Sequence, residues 1–403
     1  MRIDCKDMEK NKFLRIGTVY YKVVELPLPS GDTKTERKVW TYETIRQDYG
    51  KDYIAQIPKY DGFCIIPSHL DYKPVIGEFL NLYEPLECLP IEGNCQVTLG
   101  FIRHIFGEHY ELGLDYMQLL YMKPITKLPI LVLVSKENNT GKSTFLNLLK
   151  MIFGKNMTFN TNEDFRSQFN SDWANKLIIG VDETLLNRME DTERIKNLST
   201  AFTYKIEGKG KDRAEIEFFG KFVFCSNNEE NALYISPGET RFWVRKIHPL
   251  TNGDPLFLRK LKSEIPAFLY FLKNRALYTK QESRMWFRLD LFQTEALKRM
   301  ISYNRNKTEC DLREMMLEIM ETLNIDHFEF ALIDLQRLFP YFSKHLEHQQ
   351  VKKILQTVWN LNKTSNSFSY ETYEYNYNSE NGYSLVKRKG RYYSVTKDFL
   401  LAL

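Results

Sequence analysis

Residues 129–144 read PILVLVSKENNTGKST. The run Ile130-Leu131-Val132-Leu133-Val134 is apolar throughout and rich in β-branched side chains, the composition of a strand buried on both faces. A polar loop follows, then Gly141-Lys142-Ser143-Thr144, then Phe145, Leu146, Leu148, Leu149, Ile152 and Phe153 at helical spacing. Strand, loop and helix start together make a phosphate cradle, because the first turn of a helix presents unpaired N–H groups and its dipole favours anions. Lys142 can reach β- and γ-phosphates and Ser143 can hold Mg²⁺, with Asn138, Asn139, Thr140, Gly141 and Thr144 lining the loop. The usual pattern is G-x-x-x-x-G-K-[ST]; here Lys136 stands at its first glycine position.

The length, 403 residues, fits two or three domains. With 43% hydrophobic and 27% charged residues the chain is globular rather than disordered. The net charge of +4 announces no global basic field, but residues 341–403 hold nine Lys/Arg against five acids, an excess equal to that of the whole chain. Such a local basic patch is a nucleic-acid signal. Cys5, Cys64, Cys88, Cys95, Cys225 and Cys310 are scattered without C-x-x-C spacing, which fits a reducing cytosol. The pairs His104/His109 and His345/His348 have no cysteine nearby, so no zinc site is expected. The first residues, MRIDCKDMEKNKF, carry no apolar core, and no apolar run approaches 18 residues, so neither a signal peptide nor a membrane span is expected and the cytoplasm is the expected location.

Downstream of the loop, Leu177 to Val181 reads as a second buried strand ending in Asp182-Glu183. Ligands of an open α/β sheet bind at the carboxyl ends of its strands. Asp182 can there hold Mg²⁺ through water, and Glu183 can polarise an attacking water. Residues 190–202 are expected to be a helix with Ile195, Leu198 and Phe202 on one face. The next twenty residues, TYKIEGKGKDRAEIEFFGKF, read as a β-hairpin whose tip carries Lys209, Lys211 and Arg213; a solvated turn that is basic by accident is the alternative. Phe222 to Cys225 forms a third strand ending in Ser226-Asn227-Asn228, where an amide can sense a γ-phosphate. Arg241 and Arg245 flank a further strand, and an arginine supplied to a neighbouring site can stabilise transition-state charge.

This order resembles the superfamily 3 helicases, a ring-forming AAA+ group of viruses, phages and mobile elements, and most of all their phage and plasmid primase–helicase branch. The likeness covers residues 75–250 and includes Gly77 to Leu86 (GEFLNLYEPL). It implies an ATPase using ATP and Mg²⁺, with Lys142 and Ser143 on phosphate and metal, Asp182 on the metal, Glu183 on the water, Asn227 as sensor, and Arg241 ahead of Arg245 as the arginine finger. It also implies Lys209 and Lys211 on a pore hairpin gripping backbone phosphates, an attachment that weakens as salt rises. Relatives of this kind form homo-oligomers, usually hexamers, and move along single-stranded DNA at a forked duplex. This chain contains no primase constellation, so a separate primase or initiator is expected as a partner.

The fold class expected is α/β: an AAA+ P-loop core at 95–275, a mixed N-terminal accessory domain at 1–94, a helical linker at 276–325 and a C-terminal winged-helix-like domain at 326–403. In the last of these, Ala331–Phe339 and about Glu347–Leu361 read as helices. The second turns Val351, Ile354, Leu355 and Val358 inward and Gln349, Lys352, Lys353 and Gln356 outward, toward DNA. Lys387-Arg388-Lys389-Gly390-Arg391 reads as the turn of a wing, or as merely solvated charge. Two other functions stay open on this reading. One is an AAA+ machine acting on protein or RNA, and the charged, glycine-rich hairpin tip speaks against its protein form. The other is an ATP-switched origin-binding protein.

Overall fold

The computed structural model describes residues 12–29, 33–167, 170, 172–206, 214–236, 238–250, 253–338, 348–379 and 381–402, with backbone alone at 305–307. The chain forms two units. The first comprises Met1–Thr184, Lys196–Asn227 and Arg241–Phe292; the second comprises Leu185–Ile195, Asn228–Thr240 and Gln293–Leu403.

The first unit begins with β1 (Phe13–Ile16), β2 (Val19–Pro27) and β3 (Thr33–Trp40), an antiparallel meander. Helices α1 (Tyr42–Tyr49) and α2 (Lys51–Gln56) follow, and β4 (Lys59–Tyr60) pairs parallel with β1. Period-two alternation sends Phe13 to one face, against Ile45, Ile54 and Ile57, and Leu14 and Ile16 to the other, against Leu80. A small sheet in the order β5-β7-β6 is made by β5 (Gly62–Cys64), β6 (Val75–Ile76) and β7 (Phe79–Asn81). Tyr83 and Cys95, before the expected domain boundary at 94/95 and just after it, both bury into the core of the segment that follows.

That segment opens with α3 (Gln96–Phe106) and α4 (Tyr110–Met122). It continues through β8 (Ile130–Val134), α5 (Lys142–Phe153), β9 (Met157–Phe159) and β10 (Ile178–Val181), and resumes at Lys196 within α6 (Met189–Thr200), whose residues up to Ile195 fall in the second unit. The hairpin strands β11 (Thr203–Ile206) and β12 (Ala214–Glu217) come next, then β13 (Lys221–Ser226), β14 (Phe242–Lys246) and α7 (Phe257–Asn274). Five strands make one parallel sheet in the order β14-β8-β13-β10-β9, with β8 between β14 and β13. All five residues of β8 are buried, as expected of a central parallel strand covered on both faces. Glu264 of α7 holds the open N-terminus of α3, accepting from Val97 N at 3.3 Å and Thr98 N at 2.7 Å. Asp115 of α4 is fully buried and accepts from Arg275 Nη1 at 2.5 Å, Tyr278 N at 3.0 Å and Thr279 N at 2.6 Å. It thereby staples the chain after α7 onto this core, which Trp286, Phe287 and Phe292 also enter.

One expectation in this stretch needs correction. The helix at 190–202 stops at Thr200, and Phe202 is 77% exposed rather than inward, because the chain has already turned toward β11. The hairpin forms with Ile206 opposite Ala214, and Lys209, Lys211 and Arg213 lie outside the described residues.

The second unit is built on α8 (Glu295–Leu323), a 29-residue helix capped by the Thr294 hydroxyl, which accepts from Leu297 N at 3.1 Å. Around its face of Leu312, Met315, Met316, Ile319 and Met320 pack β15 (His327–Phe330), α9 (Leu332–Leu338), α10 (His348–Lys353) with a π-helical turn at Ile354–Val358, the hairpin β16 (Phe368–Tyr375) and β17 (Tyr383–Gly390), β18 (Tyr393–Thr396) and α11 (Lys397–Ala402). β15 pairs antiparallel with β18. The two inserted segments belong to this unit. Leu186 N–H donates to Ala232 O at 2.8 Å, Asn304 Nδ2 of α8 donates to Leu233 O at 3.0 Å, and the Tyr234 hydroxyl meets Gln350 Oε1 of α10 at 2.5 Å.

The basic run Lys387–Arg391 is not the turn of a wing. Lys387 to Gly390 lie within β17, opposite Glu371 to Phe368, and the hairpin turns instead at the Asn- and Gly-rich residues after Tyr375, where Gly382 adopts φ +74°. Arg388 faces inward: its Nη1 is 2.6 Å from the buried Asp334 carboxylate and it also pairs with Glu374. Strand alternation explains this, since Lys387 and Lys389 take the exposed positions on either side.

Candidate nucleotide-binding site

The C-terminal edge of the parallel sheet gathers the predicted residues because β8, β13 and β10 are direct neighbours. Val134 lies beside Ser226 and Val181 beside Phe224 in register. The chain leaving β8 turns through 135–141 into α5, with Asn139 at φ +55° and Gly141 at φ +88°. Lys142 is buried, and its Nζ donates to Thr140 Oγ1 at 3.0 Å. Asn138, Asn139 and Ser143 are exposed, Thr144 is half-buried, and Thr140 and Gly141 are buried. A Cβ on Gly141 would come within 2.9 Å of the Phe101 ring, so the loop closes on α3 only with glycine there.

Asp182 and Glu183 emerge exposed after β10, Glu183 in the left-handed region at φ +55°, with Asp182 Oδ1 accepting from the Glu183 N–H at 3.1 Å. The next residue anchors this corner: Thr184 N–H donates to Cys225 O at 2.7 Å, and the Ser226 hydroxyl donates to Thr184 O at 2.7 Å. The buried Cys225 thiol donates to Lys142 O at 3.6 Å. Burial pushes that thiol well above its usual pKa; the negative charge of Asp182 raises it further and the positive charge of Lys142 lowers it. Lys142 and Asp182 are therefore both within electrostatic reach of one sulfur. Asn227 is exposed at the end of β13. These observations fit a nucleotide phosphate with a divalent cation: a glycine-closed loop on a helix N-terminus, a buried lysine, and a hydroxyl and a carboxylate on the same sheet edge.

The two arginines separate. Arg241 is half-buried immediately before β14, and its carbonyl accepts from Ile130 N–H at 2.8 Å. Arg245, the second candidate for the arginine finger, is engaged within its own chain. Its side chain is 7% exposed and donates to Glu108 at 2.5 Å from Nη1 and 3.3 Å from Nη2, because its position in β14 turns it under the loop between α3 and α4. That hydrogen bond, more than any other influence, holds the Glu108 carboxyl down to about 2. Lys352, Lys353, Lys387, Lys389 and Arg391 are exposed on the second unit, and Lys387 pairs with Glu371 at 2.9 Å.

Spacing alone did not reveal the wall beside the loop. A cavity of about 390 Å³ is lined by Asn139, Gly141, Thr144, Leu250, Pro255 and Phe257, among others. Leu250 N–H donates to Asn139 O at 2.9 Å, and His104 Nε2 lies 3.0 Å from Thr140 O. Phe101 stacks on His104 and meets Phe257 edge to face. The one sequence signal for this wall is the turn Gly253-Asp254-Pro255 ahead of α7. Among the described residues no group of three or more His, Cys, Asp or Glu could hold a metal ion, and no helix is long and apolar enough to cross a membrane.

A family described as a family of unknown function (DUF5906) matches residues 133–241, which begin in β8 and end just before β14. No curated protein matches. Among solved structures, the apo C-terminal region of NrS-1 aligns over 93% of this chain and 95% of its own, at 15% identity and a TM-score of 0.56. A second apo structure of that region, its A form, aligns over 77% of both chains at 18% identity and a TM-score of 0.55. The JCV helicase aligns at a TM-score of 0.30 over 52% of this chain, too low to bear on the fold. At these identities the likeness is one of architecture: the chain has a mixed α/β fold with a parallel sheet, similar to that of the NrS-1 C-terminal region.

Proposed function

We propose that this chain is an ATP-dependent DNA helicase of the superfamily 3 type, acting in the replication of a phage, virus or mobile element. The observation that carries this reading is the convergence of Lys142, Asp182 and Glu183 on one edge of the sheet, with Asn227 ending the strand between theirs. Bound ATP with Mg²⁺ would supply the phosphoanhydride whose cleavage drives movement. Lys142 and the first N–H groups of α5 would bind the phosphates, Ser143 and Asp182 would hold the cation, Glu183 would orient water, and Asn227 would report the γ-position. The cavity beside Asn139, Thr144 and Phe257 is lined by both apolar and polar residues, a mixture that suits a base and ribose. Arg241 is the candidate finger for a neighbouring subunit in a homo-oligomeric ring, taken to be a hexamer.

The order α8–β15–α9–α10–β16–β17 supports a winged-helix-like reading of the second unit, with Lys352 and Lys353 exposed on the helix that would face DNA. Lys209, Lys211 and Arg213 remain the proposed pore residues that grip single-stranded DNA. A forked duplex as substrate, a separate primase or initiator as partner, and the host cytoplasm as location belong to the same proposal. The test is ATP hydrolysis with and without single-stranded DNA, for wild type and Glu183→Gln. Stimulation by DNA that the variant abolishes is expected; hydrolysis indifferent to DNA would move the reading to an ATPase that remodels protein or switches assembly.

A further inference from the structure

We propose that His104 is a positioning residue for the phosphate loop: it aims the Gly141 N–H into the cradle by holding the carbonyl of the same peptide unit. The inference rests on the nucleotide reading of that loop and adds a residue that the motif does not contain.

A carbonyl oxygen only accepts, so at 3.0 Å from Thr140 O the Nε2 of His104 carries the hydrogen and donates it. In a planar trans peptide the C=O and N–H point in opposite directions. Turning the Thr140 carbonyl onto α3 therefore turns the Gly141 N–H away from α3. The preceding peptide is held in the same manner, because Leu250 N–H donates to Asn139 O at 2.9 Å and so directs the Thr140 N–H away from Leu250. With both carbonyls engaged from outside the loop, two successive N–H groups are freed for its concave side. Left-handed residues at Asn139 and Gly141 give the backbone the curvature of an anion-binding nest. Lys142 is bound to the Thr140 hydroxyl, so Thr140 is fixed at its side chain as well as its carbonyl. Phe101, one helical turn before His104, stacks on the imidazole and closes against Gly141, which sets the ring plane. Glycine is the residue most able to flip, so a hydrogen bond to the carbonyl of this peptide restrains the unit where the residue itself does not.

The test compares His104→Gln, whose amide can donate from a similar reach, with His104→Met, which has the same length and no donor; both residues are good helix formers. ADP affinity is read by calorimetry and the KM and kcat for ATP by steady-state kinetics, with unfolding midpoints measured without nucleotide as a check on the fold. The expected result is ADP binding weakened about tenfold in His104→Met, the scale of one hydrogen bond to a charged group. The ATP KM should rise in parallel while kcat changes little, and His104→Gln should lie within about threefold of wild type. Equal affinity in wild type and His104→Met overturns the positioning role. Equal losses in both variants also overturn it, because they would mark the ring's packing rather than its donor. A wild-type protein that binds no ADP overturns the nucleotide reading itself, a result distinct from either. Should His104→Met unfold, His104→Leu replaces it in the same comparison.

Discussion

Glu183 occupies the left-handed region at φ +55°, where a residue with a Cβ is disfavoured by roughly 1 kcal/mol. Strain of this kind persists where the carboxylate is needed more than the relaxed backbone. Glu183→Gly should therefore unfold at a temperature no lower than wild type while losing ATP hydrolysis by at least about a hundredfold; a clearly lowered midpoint would show that the conformation costs nothing. His69 makes a second prediction. Its Nδ1 lies 2.6 Å from Tyr121 O and its Nε2 lies 2.6 Å from the Tyr83 hydroxyl, and burial lowers its pKa from 6.5 to about 4. The folded state thus keeps the ring neutral. Its contribution is complete above pH 6.5 and is lost as pH falls from 6.5 toward 4, because the unfolded chain takes the proton first. The loss approaches about 3 kcal/mol. Denaturant midpoints measured across that window should fall more steeply for wild type than for His69→Gln. At this scale the motif residues were legible because their spacing is local. The Arg245–Glu108 pair was not, since its partners lie 137 positions apart and no pattern links them.

Among the elements, the β16–β17 hairpin shows how a charged run misleads. Gly390 and four basic neighbours read as a turn, yet the strand's alternation runs through them and assigns Arg388 to the inner face. Asp334 there also accepts from Tyr370 Oη at 2.7 Å and caps α9 through Ala331 N at 2.7 Å, so one carboxylate joins three elements. Arg388→Met leaves that carboxylate buried beside too few donors. It should destabilise the second unit by about 3 kcal/mol or more, whereas Lys389→Met should change stability by less than about 0.5 kcal/mol. Urea unfolding followed by a probe in residues 293–402 separates the two. By contrast β8, α5 and the helix of Val351, Ile354 and Leu355 were legible, because each buries the face its apolar period dictates. Phe202 failed that same test because one apolar residue in phase does not extend a helix beyond Thr200.

Across the whole molecule the exposed lysines make a prediction about salt. If Lys352 and Lys353 neutralise phosphates, replacing both with alanine should reduce the slope of log K against log salt for single-stranded DNA by about 1.4, roughly 0.7 for each phosphate no longer neutralised. Fluorescence anisotropy between about 50 and 200 mM salt measures it, and an unchanged slope removes those residues from the interface. The division into two units was the least legible feature. Leu185–Ile195 and Asn228–Thr240 belong with the C-terminal residues, although each is flanked in the chain by residues of the first unit, and local composition does not mark such excursions.

Strand order has a consequence during synthesis. β8 lies between β13 and β14, which follow it by about 90 and 110 residues. A ribosome adding about 5–20 residues per second therefore exposes a wholly apolar, unpaired strand for several seconds before either neighbour exists. The nascent chain up to the start of β13 should be a strong client for chaperones that hold extended apolar segments, and slowing translation between β10 and β13 should lower the soluble yield more than slowing it after β14.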